Sequence, residues 1–213
     1  MFERIKKVLP IMTIICCVGF TSTSVNALES KSNSKEINQN TEQNIEYDTS
    51  ELRPLDYTID EIREMTMAEF YSKCFPDDWK TFSEEEKKEY ANMKYSDLQE
   101  VKEKKPIISV FVASATASSP SSRTVKGQLA IVGDGKTKAN NMHISYILYD
   151  TTGKTYAGGS GGNSNVSYYG TTYESRVLPS GRKAYVEGVF KLKLTSSSAT
   201  KTVKAKSNTV TVK

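Results

Sequence analysis

Apolar and polar residues follow two different periods along this chain of 213 residues. Between residues 56 and 104, apolar side chains recur every three or four positions, which predicts short amphipathic helices. From Ile107 onward they alternate with polar residues, as at Leu129 and Ile131, which predicts strands with one buried face. We therefore expect a helical segment followed by a mainly β domain.

Capping boxes mark the expected helix starts, because a hydroxyl and a following acid or amide can satisfy free backbone N–H groups reciprocally. Pro76 interrupts the apolar run between them. Such short helices form a thin core, so the segment should pack against the second half of the chain or stay partly mobile. The four boxes are Thr58 with Glu61, Thr66 with Glu69, Ser83 with Glu86, and Ser96 with Gln99.

Glycine, asparagine and serine turn signals separate the expected strands of the second half. Seven or eight short strands over residues 106–213 predict an antiparallel Greek-key sandwich. A β-bulge is expected near Ser207 and Asn208, where the inward-facing positions change from odd to even numbers. The expected strands are Ile107–Ala115, Thr124–Val132, Met142–Tyr149, Lys154–Ala157, Val166–Tyr168, Thr171–Val177, Ala184–Leu194 and Thr202–Val212.

Two stretches of the second half carry a resemblance to known modules. One is Leu178-Pro179-Ser180-Gly181, followed by Tyr185 and a long strand, and the other is the closing strand Ser207–Val212. They resemble the immunoglobulin-like and fibronectin-type-III-like β-sandwiches of secreted bacterial proteins. The resemblance implies an Ig-like sandwich, with the Tyr185 hydroxyl bonded back to the preceding backbone. It implies no activity, because this architecture hosts many functions.

The first residues are typical of a secretory signal peptide. A basic start is followed by the apolar run Val8–Phe20, which is shorter than the ~20 residues of a membrane-spanning helix. Val25-Asn26-Ala27 fits the cleavage rule, so we expect cleavage after Ala27, secretion, and no transmembrane segment afterwards. Cleavage would leave Cys74 as the sole cysteine, which could link two chains but could not form an internal disulfide.

Charge divides the remaining chain near residue 105. Residues 28–105 carry 20 acidic and 12 basic side chains, net −8, whereas residues 106–213 carry 4 acidic and 14 basic ones, net +10. Residues 28–55 are polar and low in complexity, which predicts a disordered spacer. We thus expect a spacer over 28–55, an acidic helical segment over 56–105 and a basic β-sandwich over 106–213. Export and the acidic segment both argue against nucleic acid as a partner.

Catalytic and metal-binding chemistry has little support in the sequence. His143 alternates with buried positions and is expected on the surface, and the sandwich carboxylates show no paired spacing. The glycine-rich stretch 158–163 lacks the residues of a phosphate loop and is interpreted as a mobile loop beside tyrosines. We expect no enzyme activity and no cofactor.

Lysines and tyrosines supply the candidate binding surface. Pairing the last two long strands with Lys191 opposite Lys204 would place like charges together, which costs up to ~1 kcal/mol. An anionic cell-surface partner, docking of the acidic segment on the same face, or protection of an edge against aggregation could each explain the lysines. The candidate residues are Lys191, Lys193, Lys204 and Lys206, with Tyr168 and Tyr169 of the glycine-flanking region.

The expected function is a secreted, non-enzymatic binding protein that contacts anionic cell-surface or wall components, or a protein ligand. The alternative is a secreted toxin or pore former whose acidic segment masks the basic domain, with Lys154–Ser175 as an inserting hairpin. That region lacks a continuous lipid-facing apolar band.

Overall fold

The computed structural model describes residues 47–101, 106–108, 111–194 and 200–213. The predicted signal peptide and most of the predicted spacer lie outside these residues. All of these described residues belong to one compact unit. Its elements, in chain order, are β1 (Tyr47–Thr49), α1 (Ile59–Glu64), α2 (Met67–Cys74), α3 (Pro76–Thr81), α4 (Glu84–Ala91), a 3₁₀ turn (Tyr95–Asp97), β2 (Pro106–Ile108), β3 (Phe111–Ser118), β4 (Val125–Val132), β5 (Ala139–Asp150), β6 (Thr155–Asn163), β7 (Tyr168–Ser175), β8 (Lys183–Leu194), β9 (Thr200–Lys206) and β10 (Val210–Thr211).

The helices begin where most of the predicted capping boxes lie. The Thr58, Thr66 and Ser83 side chains each accept the N–H of the glutamate three residues on, which returns the bond to the cap backbone. The fourth predicted box, at Ser96, is wrong: a 3₁₀ turn begins at Tyr95 instead. The reason is that the Gln99 carbonyl accepts the N–H of Lys204, so the chain there is already pairing with β9.

Two sheets form an Ig-like Greek-key sandwich, as the sequence predicts. One sheet has the order β1-β7-β4-β3-β2; the other has the order β6-β5-β8, with β9 and β10 both pairing with β8. The core strands of both sheets are antiparallel, and β1 alone runs parallel to its neighbour among the paired strands described. Strands β6 and β7 lie in different sheets, so the region Lys154–Ser175 does not form the hairpin that the pore-forming alternative requires.

The predicted bulge near Ser207 is confirmed. Strand β9 ends at Lys206, and Ser207 then donates its N–H to Val186 and accepts the Val186 N–H through its hydroxyl. Because the chain shifts by one position there, Val203, Ala205, Val210 and Val212 all reach the sandwich core.

The sheet containing β5 and β8 is buried on both faces. Its inner face joins the sandwich core through residues such as Ile144 and Phe190. Its outer face, with Ile147 and Val189, packs into a second core made by the helices, whose centre includes Phe70. Residues 144–150 of β5 are all buried, so the strand is covered continuously and not on alternate positions. The helices therefore form a third layer on the sandwich.

Short segments that precede the sandwich also pair with its edges. Strand β1 pairs with β7 through Tyr47 and Gly170, and Arg53 exchanges two backbone hydrogen bonds with Gly158 on β6. Gln99 and Val101 bond to Lys204 on β9. The predicted disordered spacer is therefore wrong over residues 47–55, because backbone pairing to two sheet edges holds a polar sequence that has few apolar side chains to bury.

The glycine-rich stretch is a strand and not the predicted mobile loop. It forms most of β6, which pairs along its length with β5. A β-carbon at Gly159 would lie 2.2 Å from the Tyr146 hydroxyl oxygen, and one at Gly161 would lie 2.3 Å from the Tyr169 hydroxyl oxygen. The glycines are thus required because tyrosine side chains and the segment around Glu51 lie directly against this strand.

Candidate functional site

The predicted pairing of the two lysine-rich strands is shifted by two residues in the structure. Phe190 lies opposite Val203, so Lys191 faces Thr202 and Lys204 faces Val189. A shift of two residues leaves every side chain on its predicted face, but it removes the direct Lys191–Lys204 pair. No like-charge repulsion across this pair needs to be offset.

Lys191 is buried against the helical layer and is not part of an exposed binding surface. Its Nζ donates to Glu86 Oε1 at 3.0 Å, with side-chain exposures of 4% and 15%. The same Nζ lies 3.6 Å from the centre of the Phe82 ring. Burial lowers the pKa of Lys191 from its ordinary value, and the Glu86 carboxylate works in the opposite direction. The pair is an internal contact between α4 and β8.

Glu86 serves the helix and the sheet at once. One carboxylate oxygen accepts the N–H of Ser83 at the start of α4, and the other accepts from Lys191. Burial opposes ionisation of Glu86, but the Ser83 N–H and the Lys191 ammonium hold its pKa below the ordinary value of 4.5. A predicted capping residue therefore also fixes the helical layer to the sandwich.

Two further predicted lysines make internal contacts as well. Lys204 donates to the backbone carbonyls of Tyr95 and Ser96 at 3.3 and 3.1 Å. The Lys206 Nζ lies 3.7 Å from the centre of the Tyr185 ring. Lys193 is half-buried at the end of β8. The predicted lysine face is thus largely covered by residues of the same chain.

Tyr185 takes part in this cover, and among the described residues its hydroxyl makes no bond to the backbone of the kind that the family resemblance implies. Its ring stacks on Tyr149 at 5.6 Å between centroids, and it packs against the helical core. Both Tyr149 and Tyr95 donate their hydroxyls to the buried Glu187 carboxylate, at 2.9 and 2.8 Å. These bonds satisfy a carboxylate that is 5% exposed.

The alternation predicts His143 on the surface, but in the structure it lies under the helices. Its Nε2 is 3.4 Å from Asp78 Oδ1, and its Nδ1 is 3.4 Å from the Ser145 hydroxyl. A serine, a histidine and an aspartate thus lie in a row, as in a hydrolase triad. The Ser145 side chain is fully buried beside Tyr71, and a nucleophile must reach its substrate. In this structure the row is a polar contact between α3 and β5.

Tyr168 and Tyr169 lie apart from the lysines, at the start of β7. They line a groove of about 290 Å³, together with Asp48 of β1, Lys138, and residues 163 and 165–167. Tyr168 is half-exposed, whereas Tyr169 is 4% exposed and lies across Gly161. Burial and the nearby Asp48 raise the pKa of Tyr169 to about 12. The predicted site therefore separates into a covered lysine face and an open tyrosine groove.

An exposed basic region that the sequence interpretation did not single out lies at one end of the sandwich. Backbone bonds gather it: the Arg123 N–H donates to Lys213, Val212 donates to Arg182, and Thr151 donates to Lys183. Seven of the fourteen basic residues of the sandwich are here, and we call this region the basic end. It comprises Arg123, Lys126, Lys154, Arg176, Arg182, Lys183 and Lys213.

Few negative charges offset the basic end. Glu174 pairs with Arg176 at 3.2 Å. Asp150 is 1% exposed and accepts from Thr152 and Tyr156, with Arg182 3.9 Å away. Val177, within the same end, is 57% exposed and is the exposed large apolar residue of the described chain. The sequence feature that points to this region is the loop of residues 176–183, which is rich in arginine, proline, serine, glycine and lysine. The residues that lie beside this loop in space are distant in sequence and become evident only in the fold.

The remaining chemistry of the described residues is limited. Cys74 is buried, and burial raises its thiol pKa to about 11, so the thiol that could link two chains is not accessible in this structure. Among these residues no group of three or more histidine, cysteine, aspartate or glutamate side chains could hold a metal ion. None of their helices is long and apolar enough to cross a membrane.

No protein-family model matches the chain, and no curated protein sequence matches it. Partial matches exist among solved structures. The collagen-binding subdomain of the Enterococcus faecalis surface protein ACE is 8% identical, with a TM-score of 0.34, over 46% of this chain and 95% of the subdomain. The sporulation control protein Spo0M of Bacillus subtilis is 9% identical, with a TM-score of 0.24, and the match covers 50% of this chain and 50% of that protein. At these values the matches carry no argument about function, which has to come from the residues themselves.

Proposed function

We propose that this chain is a secreted, non-enzymatic binding module that attaches to an anionic polymer of the cell surface through its basic end. The observation that carries the proposal is the contrast in exposure among the basic residues. Most of the lysine face is engaged within the chain, whereas the basic end collects seven cations, of which Arg176 pairs with the exposed Glu174. Secretion follows from the signal-like residues 1–27.

The physical basis is long-range attraction supported by multiple contacts. Each lysine or arginine near a strongly anionic surface contributes about 1 kcal/mol, so several weak contacts add to useful affinity. Such binding falls as salt rises, because each counterion released from the polymer gains less entropy in a more concentrated solution and the charges are screened. Val177, standing among the cations, would add apolar contact with the polymer backbone.

The test is binding of the chain from residue 28 onward to soluble poly(glycerol phosphate), with dextran sulfate as a second probe, over a salt series. The variant Arg123→Glu, Arg176→Glu, Lys183→Glu should lose most of its affinity and most of its salt dependence. The matched control is Lys88→Glu, Lys136→Glu, Lys201→Glu, which makes the same change of net charge at exposed positions away from the basic end.

The control separates a site from general attraction. If both triple variants lose affinity equally, binding reports only net charge and the proposal is wrong. If wild-type protein binds neither polymer at low salt, the basic end is not an anchor of this kind.

A further inference from the structure

The tyrosine groove is a second open site, at a different place from the basic end. It lies where β1, the connection between β4 and β5, and the connection between β6 and β7 meet. The basic end lies where β4 begins, and the groove lies where β4 finishes. Whatever enters the groove is therefore recognised by different residues.

The loop that forms one wall of the groove is held by backbone hydrogen bonds. Asn165 donates to Asn140, Ala139 donates to Val166, and Gly133 donates to Ser167. Asn165 also has a φ of 58°, a left-handed conformation that only glycine, asparagine and aspartate adopt readily. A wall fixed in this way costs little additional ordering when a ligand binds.

The groove offers side chains and not a free strand edge. Beside it, β1 pairs with β7 over Gly170, Thr171 and Thr172, so that edge is occupied where a peptide strand would add. The accessible lining includes the half-exposed Tyr168 and Ser167 and the exposed Asp48, Asn163 and Asn165. Recognition there must use an aromatic face surrounded by hydrogen-bonding groups.

We propose that this groove binds a neutral saccharide unit. The C–H face of a pyranose packs on an aromatic ring, and its hydroxyls both donate and accept hydrogen bonds. A tyrosine, a carboxylate, an amide and a hydroxyl supply those contacts from one small concave surface. Asp48 and Lys138 bring opposite charges to the lining, so the groove does not select an anion as the basic end does.

The experiment is a ¹H–¹⁵N NMR titration of the chain from residue 28 with glucose, galactose, N-acetylglucosamine and their β-linked disaccharides. At least one sugar should shift the amide signals of residues 48 and 163–169 in a saturable way. Tyr168→Ala should weaken that sugar's binding by about fivefold or more, because it removes the stacking ring. Tyr168→Phe should keep most of it.

Two controls make the result decisive. Tyr57→Ala removes another half-buried tyrosine, which packs on the helical core and does not line the groove, and it should leave the titration unchanged. The basic-end triple variant should also bind the sugar normally, so loss of polymer binding and loss of sugar binding are separable. Absence of saturable shifts for every sugar, or equal binding by Tyr168→Ala, would overturn the proposal.

Discussion

The lysine face and the basic end are both rich in basic residues, but the lysine face is largely covered by the same chain and the basic end is exposed to solvent. Lys191 meets a glutamate and an aromatic ring of the helical layer, whereas Arg176 is 80% exposed and its partner Glu174 is 42% exposed. The difference comes from what precedes the sandwich in the chain, because the helices cover one sheet face and leave this end uncovered. Positive charge along a strand therefore says little about ligands until its cover is known.

The largest effect on stability should come from a substitution inside the helical layer that covers the lysine face. Phe70 is fully buried, and its ring meets Tyr71, Phe75 and Tyr95 at 5.0–5.2 Å. Phe70→Ala should lower the free energy of unfolding by about 3–5 kcal/mol through lost burial and a cavity. Urea titration followed by far-UV circular dichroism and by Trp79 fluorescence should show one shared, shifted transition.

Val177→Ala is the matched change at the basic end, where the side chain is 57% exposed. It should change stability by less than about 0.5 kcal/mol. If the helices unfolded separately in Phe70→Ala, leaving the sheet transition unmoved, the helical layer would not be part of one cooperative unit with the sandwich.

The two ion pairs extend the comparison to single contacts. Glu86→Ala should cost about 2–3 kcal/mol, less than the ~3–5 kcal/mol of a fully buried pair, because Glu86 keeps 15% exposure. Glu174→Ala, which breaks an exposed pair at 3.2 Å, should cost less than about 1 kcal/mol. Chemical denaturation at neutral pH measures both, and equal losses would contradict the distinction.

The Glu86–Lys191 pair should also affect the pH dependence of stability. The pKa of Glu86 is lower in the folded protein than its ordinary 4.5, so its stabilisation is complete above 4.5 and is lost as pH falls through the folded value. Glu86→Gln should therefore flatten the loss of stability on acidification. The double variant with Lys191→Met should regain much of the stability at neutral pH, because no unpaired charge stays buried.

A smaller effect on stability should come from β6, the strand against which the segment around Glu51 packs. In Gly159→Ala the new methyl group would meet the Tyr146 hydroxyl and the Glu51 carbonyl, at 2.2 and 2.9 Å. We expect a loss of about 1–3 kcal/mol from this overpacking. Thermal unfolding measures it, and Asn163→Ala at the exposed end of β6 serves as the control. A neutral Gly159→Ala would mean that the Tyr146 side chain and the segment around Glu51 lie farther from this strand than the structure shows.

The smallest effect on stability should come from the basic end. Arg123→Glu, Arg176→Glu and Lys183→Glu change exposed side chains, and each should alter stability by no more than about 0.5 kcal/mol. The triple variant should therefore fold as the wild type does while losing polymer binding. A large drop in its melting temperature would show that these cations stabilise the fold.

Much of the fold follows from local sequence, because strand alternation, turn residues and capping boxes act over a few positions. The Greek-key sandwich, three helix starts and the bulge at Ser207 could be predicted in this way. The burial of His143 and Lys191 could not, because alternation shows which face a side chain is on but not whether another layer covers that face. A signal was present in β5, where Ile147, Leu148 and Tyr149 are consecutive large residues.

The candidate sites are harder to predict than the fold, because each combines residues that are distant in sequence. Tyr168 was singled out by composition, but its groove depends on Asp48 and Lys138, which are distant in sequence. The basic end combines residues from three connections, from strands β4 and β8, and from the residues after β10. The mobile loop predicted for the glycine stretch is wrong because glycine permits both a mobile loop and the close approach of tyrosines, and only the neighbouring residues distinguish the two.

Amine labelling of the native protein, with mass spectrometry of each lysine, tests the central contrast most directly. Lys191 and Lys183 belong to the same strand, so a pulse of acetylating reagent compares a covered and an open lysine in one peptide region. We predict rapid modification of Lys183, at a rate close to that of the exposed Lys136, and strong protection of Lys191 until the protein is unfolded. Modification of Lys191 as fast as Lys183 in the native state would contradict the account, because the helical layer would then not cover that face.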